Sequence, residues 1–116
     1  MDKIENASLY AVTRDAFKPK VEQTIAAGKS EEAVALLREY LALDDSAKAH
    51  NFAAWKLAEA GLAPHTAVEW AAAAETKEPG KAYIVDTLAW AHYQAGDVAA
   101  AAAAIDRALQ LDAAEA

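Results

Sequence analysis

Apolar positions along the chain recur with helical period, and three of the apolar segments stop at a glycine. The three settings are alike: Ala27-Gly28-Lys29-Ser30, Ala60-Gly61-Leu62-Ala63 and Ala95-Gly96-Asp97-Val98. The glycines lie 33 and 35 residues apart. A glycine just past a helical segment supplies the positive φ that ends the helix. A start signal follows each one. Ser30 before Glu31-Glu32 and Asp97 after Gly96 are expected to cap the next helix. Pro64 suits a first helical turn, where a missing N–H costs nothing. Each glycine therefore predicts a tight turn between two antiparallel helices.

The flanks repeat as well. Seven residues before the glycines stand Val21, Ala54 and Ala89; eleven before stand Phe17, His50 and Val85. Beyond the turns come Ala33, Ala67 and Ala101, then Leu37, Ala71 and Ile105, then Tyr40, Ala74 and Ala108. Small residues recur where helices must approach closely, and larger ones where they interdigitate. One inserted residue near Leu62-Ala63-Pro64 accounts for the longer second spacing.

A period near 34, a mid-repeat glycine, small residues at fixed distances on both sides and Pro79 at the exit of a second helix resemble the tetratricopeptide repeat. The segment Asp86-Thr87-Leu88-Ala89-Trp90-Ala91-His92-Tyr93-Gln94-Ala95-Gly96-Asp97 matches well, as does Asn51-Phe52-Ala53-Ala54-Trp55-Lys56-Leu57-Ala58-Glu59-Ala60-Gly61. The first copy is degenerate. Lys20 and Thr24 fall where apolar residues are usual, and Pro19 should start or kink its first helix near Phe17. The resemblance implies an all-α fold: a right-handed superhelical stack of three helical hairpins. Its expected parts are a capping helix or extension over 1–13, repeats over 14–46, 47–81 and 82–112, and a tail over 113–116. It also implies peptide or protein binding in a concave groove lined by the first helices. The expected groove residues are Lys18, Glu22, Asn51, Trp55, Glu59, Tyr83, Asp86, Trp90 and Tyr93, with Asp15 and Ala58 near them.

Composition agrees with helices. Alanine makes up roughly 30% of the chain and has the best helix propensity. No cysteine is present, which excludes disulfides and thiolate chemistry. The start lacks a secretory pattern, so a cytoplasmic location is expected, and no apolar run approaches the length of a membrane span. The net charge is −7. Residues 51–116 carry 4 basic and 9 acidic side chains, so the basic stripe that nucleic acid requires is absent there.

No catalytic constellation emerges, and neither an enzyme activity nor a cofactor is expected. Gly28-Lys29-Ser30 resembles the end of a phosphate-binding loop, but Gln23 stands where that loop needs a second glycine. His50, His65 and His92 lack the partners of a helical zinc site. The aromatics are more telling. Trp55 and Trp90 hold equivalent places, with Tyr83 and Tyr93 beside the second, and large rigid rings favour binding centres. Trp70, on a second helix, is expected in packing between helices or on the convex surface. One branch of the family clamps acidic chaperone tails. Of that clamp only Lys18 matches; Glu22, Phe52, Tyr83 and Thr87 replace the other members, and Glu22 would repel such a ligand. An apolar or mixed ligand with a basic residue near Glu22, Glu59 or Asp86 fits better.

The last helix, from Val98 to about Leu111, carries an apolar stripe of Val98, Ala102, Ile105 and Leu109 facing where a next repeat would stack. Three outcomes stay open: a homodimer that buries it twice, a longer protein of which this is a piece, or a monomer that tolerates it. The alternative to groove binding is thus a structural or oligomerisation segment at the C-terminal part of a larger bacterial protein. The Asn51-Phe52-Ala53-Ala54-Trp55 and Asp86-Thr87-Leu88-Ala89-Trp90 segments are similar to repeats that follow thioredoxin-like domains in some bacterial proteins.

Overall fold

Helix follows helix along residues 16–115, which are the residues that the computed structural model describes. Helix α1 covers 16–26, α2 Ser30–Leu43, α3 Ala47–Ala60, α4 Pro64–Lys77, α5 Ala82–Gln94 and α6 Val98–Glu115. Among the described residues there is no strand. The expected helix over 1–13 and the groove position Asp15 lie outside the described residues. Helix α1 runs through Pro19 without a break, and α6 continues past Leu111.

Three turns share one hydrogen-bond pattern. The glycine N–H donates to the carbonyl three residues back: Gly28 to Ile25 at 2.9 Å, Gly61 to Ala58 at 3.1 Å and Gly96 to Tyr93 at 3.0 Å. The following N–H donates to the carbonyl five residues back: Lys29 to Thr24 at 3.1 Å, Leu62 to Leu57 at 3.0 Å and Asp97 to His92 at 2.9 Å. These bonds satisfy the last carbonyls of α1, α3 and α5. The geometry needs positive φ, and the three glycines have +72°, +71° and +86°. Helix starts are less uniform. Asp97 accepts from the Ala100 N–H at 3.0 Å, and Ser46 accepts from Ala49 at 3.1 Å. Ser30, expected to cap α2, is instead its first residue; Lys29 occupies the cap with no side-chain bond. Glu31 and Glu32 in that first turn offset the missing cap through the helix dipole. Pro64 opens α4 as expected. Ala63 before it has φ +42°, a left-handed conformation that costs a non-glycine residue roughly 1–2 kcal/mol. It marks the place of the extra residue.

Successive helices pack as hairpins, α3 with α4 and α5 with α6, and α5 also lies against both α3 and α4. Alanine lets them approach closely. Ala53, Ala54, Ala58, Ala67 and Ala71 are buried in one cluster with Leu37, Leu57, Leu88 and Trp70. Trp70 is therefore core, with the Arg38 guanidinium 5.8 Å from its ring centre. Phe17, Tyr40 and Phe52 stitch α1, α2 and α3 together at centroid distances of 6.5 and 5.5 Å. The assembly is elongated, with extents of 48 × 33 × 19 Å and a radius of gyration of 15.2 Å.

Candidate functional site

Exposed large apolar side chains are concentrated in one region. Trp55 and Trp90 are 38% and 40% exposed, and Tyr83, Tyr93, Val98, Ile105 and Leu109 are exposed as well. The helical period explains the pair of tryptophans. The turn beside Trp55 directs Ala54 and Ala58 into the core, and the turn beside Trp90 does the same with Ala89 and Ala91. The indoles are left on the outer face. Trp90 and Tyr93 stack at 5.5 Å with their rings 12° apart, a two-ring platform on α5.

Two troughs adjoin there. One, of about 400 Å³, is lined by Trp55, Asp86, Ala89, Trp90, Tyr93, Ala101 and Ile105. The other, of about 320 Å³, is lined by Ala82, Tyr83, Asp86, Ile105, Ala108, Leu109 and Asp112. Asp86 and Ile105 belong to both, so the expected groove and the expected α6 stripe meet at one surface. From sequence they read as two surfaces. Val98 and Ala102, the rest of the stripe, are exposed on α6 but line neither trough.

The other half of the expected groove is charged and internally paired. Lys56 bridges Glu22 of α1 and Glu59 of its own helix, the latter at 3.4 Å. The hydrogen bond from Lys56 to Glu22 is the main cause that holds its ammonium above the ordinary lysine value of 10.5; partial desolvation opposes this. Lys18 and Lys56 both lie over Phe52, at 5.8 and 5.9 Å from its centre. Of the three carboxylates expected to meet a basic ligand, Glu22 and Glu59 already have a cation. Asp86 has none among the described residues. Asn51 is half-buried, with its Oδ1 buried and unpartnered. Ala58 is not in the groove at all, because α5 covers it.

Sequence reasoning missed Lys56. Its i, i+3 spacing to Glu59 is readable in the chain, but the link to Glu22 crosses between helices. It also missed the Arg107–Glu75 pair, 2.7 Å between α6 and α4, which raises the arginine's pKa and locks that face of α6 to the preceding hairpin. The histidines do not converge. His65 is exposed, His92 is half-buried, and His50 Nδ1 lies 3.0 Å from the Ser46 carbonyl. No three His, Asp or Glu side chains among the described residues gather into a group that could hold a metal ion. No helix among them is long and apolar enough to cross a membrane. No family model matches the chain, and no curated protein matches it.

Proposed function

We propose that the chain is a tetratricopeptide-like, right-handed stack of three hairpins that binds a peptide or protein segment and carries out no chemistry. Three turns with the same hydrogen bonds at intervals of 33 and 35 residues support the repeat reading. The contacts of α5 with both helices of the hairpin before it support a stack over a closed bundle. One observation carries the binding role. In a chain whose core is largely alanine, Trp55, Trp90 and Tyr93 are spent around an open trough of about 400 Å³. Rings placed there give contact area at little entropic cost.

A pull-down with Trp55→Ala and Trp90→Ala beside the parent chain tests this. Capture of a discrete partner should disappear in both variants while helicity, read by circular dichroism, is unchanged. Capture that survives both substitutions overturns the reading. The exposed Val98, Ile105 and Leu109 support a second reading, self-association through α6. Sedimentation at increasing concentration, with Ile105→Lys as the comparison, distinguishes it: a dimer would dissociate in the variant.

A further inference from the structure

The chain contains its own template for what fills its open end. Helix α5 seats in the valley between α3 and α4. Ile84 packs with Ala47 and Ala74, and Leu88 and Ala91 join the cluster of Ala54, Ala58, Ala67 and Ala71. These three residues follow an i, i+4, i+7 stripe. The valley between α5 and α6 repeats the receiving surface. Counting from the turn glycines, Ala82, Ala89 and Tyr93 stand where Ala47, Ala54 and Ala58 do. On the second helices Ala101, Ile105 and Ala108 replace Ala67, Ala71 and Ala74. Those are the residues that line the two adjoining troughs. The covered valley has Ala58 and Ala71 at 0% exposure, whereas Tyr93 and Ile105 are 56% and 47% exposed.

Charge says what kind of helix belongs there. The charged side chains lining the troughs are Asp86 and Asp112, and no lysine or arginine lines either. Arg107, the basic residue of α6, is engaged by Glu75 on the other side. Asn51, at the place of Asp86 in the covered valley, is half-buried. A helix seated on the open valley would likewise cover Asp86 in part, and a cation beside a partly desolvated carboxylate favours that arrangement. A second copy of this chain carries a net charge of −7, so like charge disfavours its approach to these two aspartates.

We propose that the α5–α6 valley docks an amphipathic helix of a partner protein, with an i, i+4, i+7 apolar stripe flanked by lysine or arginine that pairs with Asp86 and Asp112. This rests on the interaction-module reading and names the kind of segment that its trough and the adjoining one receive. A suitable probe is a capped synthetic peptide of residues 82–94 carrying Tyr83→Lys, Asp86→Lys and Trp90→Lys. It keeps the stripe, adds the cations and has no tryptophan to mask the protein's own fluorescence.

Titrated into the full chain, the peptide should bind saturably. Asp86→Asn with Asp112→Asn should weaken it about tenfold, and Ile105→Lys should abolish it. All substituted residues are exposed, so circular dichroism should not change. No saturable binding, or binding indifferent to these substitutions, overturns the proposal. So does a chain that sediments as a dimer broken by Ile105→Lys and not by the peptide, since a second copy then fills the valley. The two readings fail separately. If natural-partner capture needs Trp55 and Trp90, and the peptide does not bind, the module stands and the valley is not its docking site.

Discussion

The hairpins α3–α4 and α5–α6 are built on one plan, yet the valley of one is covered and the valley of the other is open. Both turn on a glycine with the same pair of backbone bonds, and both place small residues along the facing sides. Ala71 is fully buried, and Ile105 at the matching place is nearly half exposed. The larger and more apolar residue is the more exposed one. What differs is the next helix: α5 covers the first valley, and none of the described helices covers the second. Burial thus depends on the neighbouring helix as well as on the residue, because a hairpin's outer valley is removed from water only when another helix lies on it.

The largest test of that difference is a pair of leucines. Leu57→Ala, in the covered hairpin, should cost about 2–5 kcal/mol by leaving a cavity among residues that cannot collapse into it. Leu109→Ala should stay within about 0.5 kcal/mol. Urea unfolding of both variants measures this, and equal losses would erase the distinction. Exchanging the matched residues sharpens it. Ala71→Ile should overpack the valley under α5 and cost about 1–3 kcal/mol, whereas Ile105→Ala should be nearly silent. A neutral Ala71→Ile would mean that α5 is not seated there.

Smaller effects separate the helix starts. Asp97→Ala should cost about 1 kcal/mol, because the Ala100 N–H loses its acceptor. Ser30→Ala should cost close to nothing, since Ser30 makes no cap; comparable melting shifts for the two would contradict the assigned starts. The smallest effect concerns the charged half of the groove. Lys56→Met should cost about 0.5 kcal/mol near neutral pH, the range of exposed ion pairs. The folded pKa of Lys56 is raised, so its contribution is whole below 10.5 and fades as pH climbs through the higher folded value. The gap between parent and variant melting temperatures should therefore narrow above that range, and a constant gap would show that the ammonium is not what Glu22 holds.

Much of the fold was legible because its determinants are local. Gly28, Gly61 and Gly96 announce their turns by the φ they must adopt, and Pro64 and Asp97 announce helix starts by the groups they lack or offer. Ser30 misled because a serine beside a glycine suits both the cap and the first helical residue, and only the path of the turn separates them. The exposure of Trp55 and Trp90 falls at positions that the repeat resemblance singled out, while packing between helices stayed an equally open reading until the structure. The joining of Asp86 and Ile105 into one trough was not legible, because they lie on different helices and meet through the angle at which α5 and α6 pack.

The sequence by itself determined where the three glycine turns fall, which helix faces are apolar and the spacing of the turns, since propensity, capping and period act over a few residues. Tertiary structure alone decided which of two equivalent valleys is filled, which carboxylates share Lys56 and that Asp86 has no cation among the described residues. Those outcomes depend on distances between residues far apart in the chain, and helix packing sets such distances.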